Sequence, residues 1–299
     1  MADYRGGGFA NEPPLTREAF AMLFDSHSLR HGFAIAFAAL LLSPALAAPI
    51  HVSELYQASV IVTGQGEENR GTGLALCLRE VLVKVSGDPT IMDLPQTNAL
   101  AARAASFVDS FDYRDRMAGI PVHDEQGSRD RPYDLTATFN SAKIDDALLS
   151  LGRKSWRADR PTLAVIVLIK TGDVSYILAD DGRQGRDQRD ALQISADRLG
   201  IPIVIPDQSA LLHAGVDGAA VAAADPAWTN RLSRALDADA ALIGQMTWSD
   251  EALGWITQWR LTAQSGSIRW AVRGGSFDHA FRTGVGGAAQ ILSGNGSPQ

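Results

Sequence analysis

The 299-residue chain has a single cysteine, Cys77, so no disulfide can form within it. Lysine is nearly as scarce: Lys84, Lys143, Lys154 and Lys170 are all there is, and arginine supplies the rest of the positive charge. No Lys/Arg run is long enough to make a basic patch, and the formal net charge is -7. Such a chain repels a phosphate backbone, which argues against nucleic-acid binding. Histidine is thinly spread. His51, His123, His213 and His279 follow residue 47, and none lies within four residues of another. Without an H-x-x-x-H or a Cys/His cluster, no zinc or other metal site is expected. Nothing like G-x-S-x-G occurs either. No apolar run approaches the roughly 20 residues that span a bilayer.

What is present begins with an ordinary balance of 45% hydrophobic and 20% charged residues, enough for a normal core. At roughly 100–200 residues per domain, the length predicts one large or two modest domains. Gly32 to Leu42 read GFAIAFAALLL, an unbroken apolar run. Arg30 and His31 precede it, and Ser43-Pro44-Ala45-Leu46-Ala47 follows. A charged flank, a short apolar core and an A-x-A exit are the three parts of a secretory signal. A core helix would show polar positions at a 3.6 period, and this run shows none. Residues 1–47 are therefore expected to be leader and signal peptide, cleaved near Ala47, with translation starting at Met22. No cysteine stands at the cut, so no lipid anchor is expected. The expected product is periplasmic and keeps no membrane span, with 24 basic and 30 acidic side chains.

The pattern beyond the signal predicts an α/β (α+β) protein of two small domains. The first, over 53–151, reads β-α-α-β-β-α. Tyr56, Ala58, Val60 and Val62 alternate as in a half-buried strand. From Glu68 to Val85, Leu74, Cys77, Leu78, Val81, Leu82 and Val85 fall at helical spacing, with Gly87 to cap and Pro89 to stop it. On its outer face Glu80 and Lys84 are placed as an i,i+4 pair. A helix over Ala99 to Phe107, strands over Ser106 to Arg114 and around Tyr133 to Phe139, and a short helix from Asp145 to Leu151 complete it. Ile144, Leu148 and Leu149 are expected to face inward. Gly119 to Arg131 reads as a loop and residues 152–160 as a linker.

The second domain, over 161–292, opens on Thr162 to Ile169, a continuous apolar strand of the kind helices cover on both faces. A strand at Asp173 to Ala179, a helix at Gln188 to Leu199 and a short strand at Ile201 to Ile205 follow. Around His213 the chain reads as an Ala/Gly-rich loop. Asp225 and Pro226 start a helix as N-cap and N1. Strands over Ala240 to Trp248, Trp255 to Gln264 and Ile268 to Arg273, then a helix from Phe277 to Leu292, predict a mixed sheet with helices on its faces. Residues 293–299 are a tail.

An ordered series of motifs in this frame resembles the Gram-negative envelope family known as domain of unknown function 2066. They are Tyr56-Gln57-Ala58-Ser59-Val60, the helix end Arg79 to Gly87, Phe111-Asp112-Tyr113-Arg114, Arg160-Pro161 before an apolar strand, and Ala241-Leu242-Ile243-Gly244. The second half is also similar to the α/β module at the N-terminus of TolB and in curli-secretion proteins. The resemblance implies an envelope protein and no catalytic residue.

Residue by residue, few sites stand out. Gly64 to Gly73 follow a strand and open a helix, but Asn69 replaces the third glycine of a dinucleotide loop and Glu67 and Glu68 would repel phosphate. Asp180, Asp181, Asp187 and Asp190 have a calcium-loop flavour that Arg183, Arg186 and Arg189 interrupt, so an ion-pair loop is expected. The pairs Asp145/Asp146 and Asp237/Asp239 read as helix caps. Cys77, on an apolar helix face, reads as a buried structural thiol. The remaining feature is tryptophan. Trp248, Trp255, Trp259 and Trp270 fall in the closing sheet, either as a ligand or partner surface or as a face beneath the last helix. The expected function is a non-enzymatic envelope accessory protein without cofactor that binds another envelope protein. A glycan or small-ligand binder using the Trp-bearing sheet is the first alternative, and a hydrolase with a non-local site the second.

Overall fold

Period-2 alternation builds the first sheet. In the computed structural model, which describes residues 52–119, 131–157, 160–263 and 266–298, α1 (Val52–Leu55) leads into β1 (Gln57–Thr63). β1 buries Ala58 and Val62 and leaves Ile61 exposed. α2 (Glu67–Ser86) buries the whole helically spaced set from Leu74 to Val85. Gly87, at φ 70°, ends it with its N–H on the Val83 carbonyl. The expected signal peptide, the start at Met22 and most of the loop before Arg131 lie outside the described residues.

A 3₁₀ turn (Pro89–Asp93) and α3 (Pro95–Ala101) come next, then a second 3₁₀ turn (Ala104–Phe107). The single helix expected over Ala99 to Phe107 is divided because Arg103, at φ -118°, leaves helical geometry. β2 (Val108–Asp115), β3 (Pro132–Phe139) and α4 (Ser141–Ser150) follow. The sheet order is β1-β3-β2, antiparallel throughout. α2 covers one face, and Ser59, Asp112 and Thr136 lie on the solvated other, as antiparallel sheets allow. One expectation fails here. Leu149 is 64% exposed, a further 100° round α4 from buried Leu148. Glu80 and Lys84, both half-buried, each stabilise the other's charge, while Lys84 Nζ bonds the Gln57 carbonyl at 2.8 Å.

The second sheet starts with β4 (Leu163–Thr171), buried from Leu163 to Ile169 because helices lie on both sides of it. After it come β5 (Val174–Ile177), α5 (Arg186–Leu199), β6 (Ile203–Val204), α6 (Gln208–His213), α7 (Gly218–Ala223) and α8 (Pro226–Ala235). The chain closes with β7 (Ala240–Ser249), β8 (Gly254–Ala263), β9 (Gly266–Arg273) and α9 (Phe277–Ser293). The order is β5-β4-β7-β8-β9, with β6 also on β4. β4 runs parallel to β6 and β7, and the other pairs are antiparallel. α5 and α9 cover one face, α6 to α8 the other. The chain is thus α/β with two sheets. The stretch around His213 is not a loop: Asp207 and Asp217 cap two short helices by accepting the N–H groups of Ala210 and Ala220.

Within the stretch read as a linker, residues 152–157 and 160 pack as a strap. Trp156 is 9% exposed and donates its N–H to the Val85 carbonyl at 2.7 Å. The Arg160 guanidinium stacks on its ring at 4.3 Å. Nη2 of Arg160 bonds the Lys84 carbonyl at 2.7 Å, and Nη1 bonds Leu199. One half-buried cation therefore closes the C-terminal ends of α2 and α5, where helix dipoles favour positive charge. Burial pushes its pKa down to about 10. The tail takes part as well: Asn295 Nδ2 bonds the carbonyls of Ser86 (2.7 Å) and Lys154 (2.8 Å). Gly286 of α9 leans on Pro89, and both sheets belong to one compact unit.

Candidate functional site

Strand register puts all four tryptophans on one sheet face. Trp248 pairs with Trp255 across β7 and β8, and Trp259 with Trp270 across β8 and β9. That face is the one α9 covers. Trp259 is 1% exposed, Trp270 6% and Trp255 8%. Trp259 lies between Gly244 and Gly284, where an added Cβ would come within 2.5 and 2.4 Å of its ring. Gly287 makes the same allowance for Trp270, whose Nε1 donates to the Thr283 carbonyl at 3.2 Å. Only Trp248 reaches the surface, edge-on to Trp255 and bonded through Nε1 to Asp250. The four therefore do not form an exposed surface on which a sugar ring could stack. Glycine costs a helix interior about 1 kcal/mol relative to alanine, so Gly284, Gly286 and Gly287 in α9 were the readable sign of close approach. Trp259 Nε1 and Thr257 Oγ1, adjacent on this face, are buried without a hydrogen-bond partner among the described residues.

The other singled-out residues serve the fold. Cys77 is fully buried, its Sγ 3.6 Å from the Ala58 carbonyl; burial, then the Glu80 charge, push the thiol up to about 12. Glu67 and Glu68 stand exposed in the first turn of α2. Asp145 is no cap. It sits within α4 and accepts from Tyr56 Oη at 2.9 Å and from Ser155 Oγ, tying the residue before β1 to the strap. Asp239 accepts the Thr162 N–H at 2.8 Å, and Asp237 turns the chain at φ 51°. The 180–190 loop is held by Arg189 on the carbonyls of Ala179 and Gln184 and by Asp181 on the Gln208 N–H. None of its arginines makes an ion pair among the described residues, contrary to expectation. His213 and His279 are exposed at the ends of separate helices, and His51 and His123 lie outside the described residues. Among the described residues no group of three potential metal ligands comes together.

Two features were invisible in the sequence. The first is buried Asp88, which accepts Arg153 Nε at 2.5 Å, Gln290 Nε2 at 2.7 Å and Thr90 Oγ1 at 2.7 Å. Strap, α9 and 3₁₀ turn meet on one carboxylate. The second is a cleft of about 360 Å³ on the sheet face opposite the tryptophans. Ile243, Ala224 and Ala271 line it with small apolar groups, and Gln245, Gln258, Arg260 and Arg269 with polar ones. Arg260, 9% exposed, gives Nη1 to the carbonyls of Ala223 and Ala224 at the C-terminal end of α7. Arg269 sits directly opposite it on β9.

Residues 50–157 match a family model, Domain of unknown function (DUF8605). The DUF8605 stretch runs from α1 through the three-stranded sheet to Trp156 in the strap. Asp88 and Cys77 fall inside it; the tryptophan layer and the arginine cleft fall outside. No curated protein matches the chain. The match supports a domain of unknown function over these residues and does not bear out the resemblance to domain of unknown function 2066 or to the TolB-type module. Among the described residues no helix is long and apolar enough to cross a membrane.

Proposed function

We propose that this is an exported protein of the cell envelope that acts by binding another envelope component through its second module. The secretory pattern from Arg30 to Ala47 carries the compartment. The motifs resembling domain of unknown function 2066 and the TolB-type module support the envelope assignment. The non-enzymatic reading rests on where buried groups with shifted pKa values are used. Perturbed, buried groups often mark catalytic sites. Here Cys77, Asp88 and Arg160 are each engaged in contacts that hold helices, strap and sheets together. With Trp255, Trp259 and Trp270 under α9, the glycan-stacking alternative loses its surface. A small-ligand reading is favoured only at the arginine cleft.

Export is tested by expressing the intact chain in a Gram-negative host, fractionating the cells and sequencing the N-terminus of the product. The expected product is periplasmic and begins just after Ala47. An unprocessed chain folded in the cytosol would overturn the proposal. Crosslinked envelopes should then yield a specific partner whose capture depends on residues 161–292.

A further inference from the structure

We infer that the cleft between Ala224 and β9 is a binding site for a small oxyanion, a phosphate or carboxylate group held between Arg260 and Arg269. Like charges directly opposite each other on an antiparallel pair destabilise the sheet. Arg260 and Arg269 are such a pair, on the two strands at the open end of the sheet. Neither has a carboxylate within 4 Å among the described residues. The acid whose charge acts on Arg260 is Asp225, whose Oδ1 already accepts the Trp228 N–H.

Arg260 is also held for the task. The two carbonyls at the end of α7 fix Nη1 and leave Nε and Nη2 with no protein acceptor among the described residues. A guanidinium anchored on one side presents its remaining N–H groups as the planar fork that matches carboxylate and phosphate oxygens. Gln258, exposed beside it, adds an amide donor. The volume lies at the low end of the roughly 300–1,000 Å³ typical of small-molecule sites, and the alanine lining admits a short apolar group behind the anion. The site stands on this geometry alone and holds whether or not the protein is exported.

The test is an amide-resolved NMR titration of the folded protein at low ionic strength, with inorganic phosphate and succinate in separate arms and sodium chloride at matched ionic strength as control. Arg269→Gln is the variant of choice, since Arg269 is exposed and its side chain makes no hydrogen bond or ion pair among the described residues, whereas Arg260 anchors the end of α7. Saturable shifts at Gln258, Arg260, Arg269 and Ala271 are expected with at least one anion, weakened about tenfold or more by R269Q. Phosphate alone or succinate alone identifies the oxyanion. No saturable shift at these amides with either probe, shifts that chloride reproduces, or unchanged binding in R269Q overturns the inference.

Discussion

Asp88→Asn should unlock the junction between the two sheets. Asp88 is 0% exposed and takes bonds from the strap (Arg153), the 3₁₀ turn (Thr90) and α9 (Gln290). The asparagine keeps the shape but turns one acceptor oxygen into an NH₂ group that faces donors. Removing one partner of a buried ion pair costs about 3–5 kcal/mol. Arg153 is 25% exposed and can partly rehydrate, so the low end, about 3 kcal/mol, is expected near neutral pH. Burial alone would raise the Asp88 pKa; the bonds from Arg153, Thr90 and Gln290 outweigh it and hold the carboxyl below its ordinary value. The folded state therefore binds this proton more weakly than the unfolded chain. The contribution is complete above the ordinary aspartate pKa of about 3.9 and is lost as pH falls through it toward the folded value. Urea unfolding of wild type and D88N, followed at neutral and acidic pH, measures both effects. The stability gap should be wide at neutral pH and narrow on acidification. A gap under about 0.5 kcal/mol at neutral pH, within the scatter of surface substitutions, would refute the reasoning, as would one that ignores pH.

Gly284→Ala should lower stability by about 1–3 kcal/mol, because the new methyl meets Trp259 at 2.4 Å in a full core. In an unconstrained helix the same change stabilises, so a rise in melting temperature would show that α9 is not seated on the indole. Thr257→Val removes a buried hydroxyl without a partner and should stabilise by about 1 kcal/mol in the same melt. A loss there would mean the hydroxyl has an acceptor.

Much of the fold was legible because its cause is local. Helical spacing in α2 and the unbroken apolar run of β4 each report burial through neighbours one turn or two residues away. Asp225 and Pro226 open α8 as capping chemistry requires, with Asp225 accepting the Trp228 N–H. α6 and α7 escaped notice because their Ala- and Gly-rich segments carry almost no periodic contrast, and only the aspartate caps at Asp207 and Asp217 announced them.

By itself, then, the sequence determined the two sheets, most helix ends, the interior place of Cys77 and the secretory pattern. It could not decide which face of the closing sheet would be covered. That followed from Gly244 and Gly284 meeting around Trp259: the glycines of α9 signal a close approach, but no local pattern says which strand or indole they approach. Nor could it show that Gln290 reaches Asp88 across 202 positions or that Arg260 faces Arg269, since the first depends on how helices pack and the second on strand register. Both are set by the whole core at once, because a side chain's partner is fixed by where distant backbone comes to rest and not by its neighbours along the chain.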